Sequence, residues 1–344
     1  MWAWLQRYDP LFYKRMKRFV GIGRARRALI LLCIGFVLSL FAEIIANKNP
    51  LVVSYKGSLY FPFLTVYQGH DFGWDSVIEP QYKDQKEEIV SHGWYLPPLV
   101  WWGVNESNDA LDRYPSPPGV DNWLGTDDRG RDVFVRLLYG FRLSMMFAVF
   151  TLFVALFLGT MIGGLQGFFG GLVDLIGQRF VEIWVSLPPI FVVILIVNVL
   201  QPNLWVLLLT ISAFSWISAQ YYIRGESLRL KNMDYTHAAK TFGSTRWQIF
   251  KNHIVPNAMT PMITLIPFVM NQSILFLSFL DFMGLGVQAP TASIGELLRQ
   301  GRENFLEAWW LAFFPFFILV VTLLLLSFVG EGVRQAFDPR AVEG

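Results

Sequence analysis

Over 344 residues, 54% are hydrophobic and only 16% charged, against about 25% charged in ordinary soluble domains, and the apolar residues run in long unbroken blocks. That excludes a conventional soluble globular protein and points to a chain solvated by lipid. The formal net charge of +2 identifies no partner, and the single cysteine, Cys33, excludes an intramolecular disulfide.

Residues 1–27 form a basic arm in which Arg7, Lys14, Arg15, Lys17, Arg18, Arg24, Arg26 and Arg27 face one acid, Asp9. The positive-inside rule keeps such an arm in the cytoplasm. The block 28–46, interrupted only by Glu43, reads as a first membrane helix and an uncleaved anchor, since no A-x-A-like site follows it. Residues 47–137 then face the periplasm, and acids outnumber Lys and Arg there. Within them, Val52-Val53-Ser54-Tyr55 and Leu59-Tyr60-Phe61 around Lys56-Gly57-Ser58 predict a hairpin. Tyr114-Pro115-Ser116-Pro117-Pro118-Gly119 predicts a stiff extended connector.

The uncharged blocks 143–169, 183–223, 254–280 and 308–330 follow. A crossing needs about 20 helical residues, so 183–223 holds two, divided at Gln201-Pro202-Asn203. The expectation is an all-α polytopic membrane protein with six transmembrane helices: a core at 138–334, a periplasmic insertion between the first two helices, and a cytoplasmic tail at 335–344. The same parity puts the basic loop 224–253 inside.

That loop is the most informative segment. Asp234 to Gly243 predicts a short helix capped by Asp234 and stopped by Gly243. Thr245 and Gln248 have capping-box spacing for a second helix, expected to end before Pro256. A helical pair between two spans, with small Ala238 and Ala239 on its surface, suits docking of another protein. An amphipathic loop resting on the membrane fits the spacing equally well.

Elsewhere, Arg179 and Glu182 have the spacing of an ion pair at a helix end. Asn198, Asn271, Gln272 and Ser273 are polar within apolar spans and are expected to face the bundle interior or a translocation path. Asp127, Asp128, Arg129, Arg131 and Asp132 read first as a structural network of alternating charges, with a gate or a protein contact as the other options. The four histidines have no metal-ligand spacing, so no metal site is expected. No catalytic constellation stands out, and no Gly-Lys dipeptide occurs, so a phosphate-binding loop is absent and any ATP with Mg that drives the protein is bound by another subunit. An ion-coupled transporter working without ATPases is the competing function, but the uncharged blocks lack titratable groups.

Ala238-Ala239, then Gly243, then His253-Ile254-Val255-Pro256-Asn257 resemble the EAA loop of binding-protein-dependent ABC importer permeases, within 225–257, with His237 standing where the motif has Glu. The resemblance implies that His237, Ala238, Ala239, Gly243, His253, Pro256 and Asn257 form the ATPase-coupling element. Asn122 to Asp132, containing Leu124, Gly125, Thr126, Asp127, Gly130, Arg131 and Asp132, and the segments 279–286 and 330–340 are similar to C-type subunits of dipeptide and oligopeptide permeases. The long insertion looks like that of the microcin C importer subgroup. What the resemblance implies is a type I ABC importer permease fold, in the bacterial inner membrane, for oligopeptides, microcin C-like compounds or cell-wall peptides. Its implied partners are a second permease, two cytoplasmic ATPase domains, a periplasmic binding protein and lipid, with no nucleic acid.

Overall fold

The structure, a computed structural model, describes residues 10–74, 79–200 and 203–337. Arg7, Asp9, Gln201, Pro202 and the tail from 338 onward, with Asp338-Pro339-Arg340, lie outside the described residues.

The chain starts with α1 (Pro10–Gly21), α2 (Gly23–Leu40) and α3 (Ala42–Ile45). Strands β1 (Val52–Tyr55) and β2 (Ser58–Tyr60) follow, then α4 (Lys86–His92) and β3 (Gly93–Leu96). The rest is helical: α5 (Val133–Phe169), α6 (Gly171–Ser186), α7 (Pro189–Val199), α8 (Leu204–Leu230), α9 (Asp234–Thr241), α10 (Arg246–Ile249), α11 (Val255–Met262), α12 (Ile266–Phe282), α13 (Ile294–Glu303) and α14 (Trp309–Phe337).

Among the described residues, four helices, α5, α8, α14 and the one over Ile263–Phe282, are long and apolar enough to cross a membrane. The pair α6 and α7 makes a fifth crossing if counted as one span, bent by 70°. The bend follows from Leu187-Pro188-Pro189. Each residue before a proline is pushed out of the helical region, and Leu187 and Pro188 both take extended ψ, 112° and 121°. The block 183–223 therefore does not begin with one straight span, as its composition suggested. α2 is 18 residues long but holds Arg24, Arg26 and Arg27 near its start, so its uncharged part is shorter than a bilayer thickness.

By compactness the chain divides into two units that cut across the segments expected from sequence. The first is Met1–Ile34, Ser144–Gln288 and Ile318–Gly344; the second is Gly35–Leu143 and Ala289–Phe317.

Among the described residues, the regular elements of the first unit are all helices. A buried core joins Ile223 and Leu230 of α8 to Ile249, Phe250, Ile254, Ala258 and Met262, with Leu156, Leu165 and Phe168 of α5 against them. The second unit corrects the all-α expectation, because it holds a three-stranded antiparallel sheet in the order β2-β1-β3. The expected hairpin is present, with Val53 opposite Tyr60 and Tyr55 opposite Ser58. Lys56 and Gly57 at its turn have φ of 48° and 81°, as a tight two-residue hairpin loop requires. Strand β3 has no alternation to announce it. It is held by pairing to β1, whose Val53 and Tyr55 pack with Phe72, Tyr82 and Ile89 in a small core.

Candidate functional site

The 234–257 loop is two-faced. Met233, not Asp234, takes the capping position of α9, with no side-chain cap, so Asp234 is the first helical residue. Behind the helix, Thr236 is buried and its hydroxyl donates to Leu230 O at 2.9 Å. Gly243 ends α9 at φ +84°, a left-handed conformation that glycine adopts without a Cβ penalty. Thr245 and Gln248 then form the expected capping box.

The second helix does not stop before Pro256. α10 passes through a π turn, Phe250–Ile254, in which Val255 N–H donates to Phe250 O, and α11 continues with Pro256 in its first turn. Proline has no N–H, and its ring clashes with the carbonyl four residues back. The wider π turn carries the chain past that conflict.

Ile249, Phe250 and Ile254 anchor this loop in the core of the first unit. Its other face is open: His237 and Ala238 are exposed, Phe242 is 88% exposed and Trp247 55%. Ala239 is half-buried against the core, and Pro256 and Asn257 are exposed, with Asn257 Nδ2 donating to His253 O at 2.6 Å. His253 is half-buried, its ring 6.3 Å from that of Tyr235. The expected coupling residues thus occupy one continuous helical corner. Phe242 and Trp247 belong to it as well, and the motif gave no signal for them.

Close helix packing joins this corner to the rest of the unit. Gly159, Gly163 and Gly167 recur every four residues along α5 and face α8. A Cβ would meet Ala219 Cβ at 2.5 Å from Gly159, Gln220 O at 2.4 Å from Gly163 and Arg224 O at 2.4 Å from Gly167. Small residues at this spacing let membrane helices approach backbone to backbone, and the spacing is visible in the sequence. Beside the seam, Gln166 Oε1 accepts from Gln178 Nε2 at 2.9 Å and from Gln220 Nε2. Arg224 at the end of α8 holds Asp174 of α6 through two contacts, 2.5 and 2.8 Å. Movement of α8 is thereby tied to α5 by packing and to α6 by charge.

The polar residues expected along a path do not converge. Asn198 is exposed and bonds back to Ile194 O in its own helix at 2.8 Å, and Gln272 is exposed. Asn271 crosses to α14, donating to Ser327 Oγ at 2.9 Å, while Ser273 is buried and donates to Val269 O at 2.8 Å. Arg179 and Glu182 pair at 2.6 Å in the open.

In the second unit, Asp127 is fully buried between Arg131, at 2.6 Å, and Arg136, at 3.3 Å. Its Oδ1 also accepts the Arg129 and Arg131 backbone N–H groups, both at 2.9 Å. Asp132 caps α5, accepting from Val135 N at 2.9 Å and from Asn122 Nδ2 at 2.8 Å. Burial pushes the Asp132 carboxyl up, against the lowering effect of these bonds. Thr126 O accepts from Trp310 Nε1 at 3.1 Å. Gly125 and Gly130 are buried in left-handed turns, and Leu124 is half-buried. Six of these seven residues are buried, all but Leu124. They brace the start of α5, and Arg136, fully buried, extends the brace to Val104 O and Thr291 O at 3.2 and 3.4 Å.

Comparison with known proteins identifies the family. The family model described as binding-protein-dependent transport system inner membrane component matches residues 156–343, a stretch that contains the 234–257 loop. The inner membrane ABC transporter permease protein YejE of Escherichia coli is 41% identical over 338 residues, covering 97% of this chain and 99% of that protein. The peptidoglycan transport system permease protein YejE of Agrobacterium fabrum is 37% identical over 97% of this chain and 94% of its own length. The dipeptide transport system permease protein DppC of Bacillus subtilis is 36% identical over 67% of this chain and 72% of its own.

Proposed function

The chain belongs to the family of binding-protein-dependent transport system inner membrane components, and from that premise we propose that it is the C-type permease subunit of a peptide-importing ABC transporter. One observation carries the mechanism: a helical corner with its back packed into the helix core and its front, His237, Ala238, Phe242 and Trp247, free for another protein. On this reading two ATPase subunits bind ATP with Mg, close, and push that corner. α8 moves with it, and the seam at Gly159, Gly163 and Gly167 passes the movement to α5. ATP drives the change through its higher affinity for the closed ATPase pair.

The proposed topology has the arm, the coupling loop and the tail in the cytoplasm and 47–137 in the periplasm. It counts six crossings of a type I permease: α2 with α3, α5, the bent pair α6 and α7, α8, α12 and α14. A second permease subunit and an extracytoplasmic binding protein complete the assembly. Asn271 and Ser273 serve helix packing in this structure, while exposed Asn198 and Gln272 are the better candidates for facing cargo or the partner permease. The relatives named for peptidoglycan and dipeptide transport favour peptides or cell-wall peptides as cargo, while microcin C-like conjugates rest on the resemblance of the long insertion alone. Nothing in the family supports the ion-coupled alternative.

The test is co-purification from native membrane. Wild-type chain should bring down an ATPase subunit, and Ala238→Arg, at an exposed position, should lose it while the chain stays folded. A Phe242→Cys label, in a Cys33→Ser background, should react with an impermeant maleimide only from the cytoplasmic side. Labelling from outside would end the proposal.

A further inference from the structure

A cavity of about 630 Å³ opens in the second unit, between the chain after α3, the stretches 79–83 and 103–106, and Tyr139 of α5. That is the size of a small-ligand cleft. Two ion pairs stand in its wall, Lys48 Nζ with Glu79 and Lys83 Nζ with Glu106, each at 2.7 Å. Glu79 accepts a second bond from Asn49 Nδ2 and Glu106 one from Gly103 N, both at 2.8 Å. Glu43, the remaining acid, is held by Arg142 at 2.8 Å. The wall is therefore charge-balanced. Each ammonium keeps N–H donors beyond the one used in its pair, and each carboxylate keeps acceptor sites.

Such a wall selects its ligand. A net charge brought into it would stay uncompensated, and an apolar ligand would desolvate these groups without replacing their water. A zwitterion does neither, since its carboxylate adds to an ammonium of the wall and its ammonium to a carboxylate.

We propose that this cavity binds a short zwitterionic peptide, with the peptide's charged ends on the two Lys–Glu pairs. The inference rests on the peptide-permease reading and deepens it, because it places peptide recognition in the insertion as well as in any separate binding protein.

The full-length chain in lipid nanodiscs is titrated calorimetrically with trialanine, with N-acetyl-trialanine amide and with chitobiose. Trialanine should bind, the capped peptide at least tenfold more weakly, and the disaccharide not at all. Gln81→Glu, at an exposed wall position, adds a negative charge and should shift preference at least threefold from trialanine towards trialanine amide. The proposal is overturned if trialanine does not bind, if the capped peptide or the disaccharide binds as well, or if Gln81→Glu leaves the preference unchanged. ATP-driven uptake of labelled peptide by cells is measured in parallel. Uptake without trialanine binding removes the cavity proposal alone, and binding without uptake removes the permease reading alone.

Discussion

The 234–257 loop and the 122–136 segment both carry a distinctive residue order, and they place those residues in opposite environments. In the loop, His237, Ala238 and Gly243 lie at the surface, with Phe242 beside them at 88% exposure. In the segment, Thr126, Asp127, Arg131, Asp132 and Arg136 are all buried and spend their hydrogen bonds on one another and on neighbouring backbone. A specific pattern lies on an open surface in one place and forms a self-contained brace in the other. Burial, which no motif reports, separates the two.

The contrast is testable in order of effect size. Asp127→Ala should be the most damaging change, because it leaves Arg131 and Arg136 buried without their carboxylate. Breaking a buried pair from one side costs about 3–5 kcal/mol, to be seen as loss of monodisperse protein after detergent extraction. If Asp127→Ala folds normally and only transport suffers, the segment is a functional site and the contrast fails.

Phe242→Ala should leave the thermal midpoint unchanged, since its ring is exposed, yet weaken ATPase-subunit binding by about 2 kcal/mol, the scale of an interface hot spot. Unchanged affinity would remove Phe242 from the docking face. Gly163→Ala should fall between the regions in kind. Its Cβ would lie 2.4 Å from Gln220 O, and overpacking of this sort costs about 1–3 kcal/mol. A lowered midpoint together with ATP hydrolysis uncoupled from uptake is expected, and a neutral result would mean the seam transmits nothing.

The smallest effect is a pH dependence. The Asp132 carboxyl titrates above its ordinary value because of burial. A group raised in the folded state contributes stability at pH below its unfolded value, and that contribution is lost as pH rises through the folded value. Thermal midpoints of the wild-type chain between pH 4 and 7 should include this acidic-side gain, and Asp132→Asn should flatten it.

Sequence reasoning succeeded where the physics is local. The hairpin at 52–60 was readable because Lys56-Gly57 suits a tight turn between β-prone runs, and the capping box at Thr245 and Gln248 because three residues suffice to define it. It failed where distant groups decide. Strand β3 exists through pairing with β1, and the bend at 187–189 required weighing a Pro-Pro pair inside an apolar run. The continuation past Pro256 required the π turn that relieves the proline. Phe242 and Trp247 were passed over because an aromatic residue in an apolar chain announces nothing until its neighbours are known.

Composition and block length alone established that this chain belongs in lipid, because the cost of burying charge in hydrocarbon is paid residue by residue and needs no partner. Residue order alone located the helical corner at 234–257 and its left-handed Gly243, because backbone preferences act over a few bonds. Only the tertiary structure decided which motif faces outward, which helices touch through glycine, and which ion pairs wall a cavity. Those are relations between residues tens to hundreds of positions apart, and packing, not sequence spacing, brings them together.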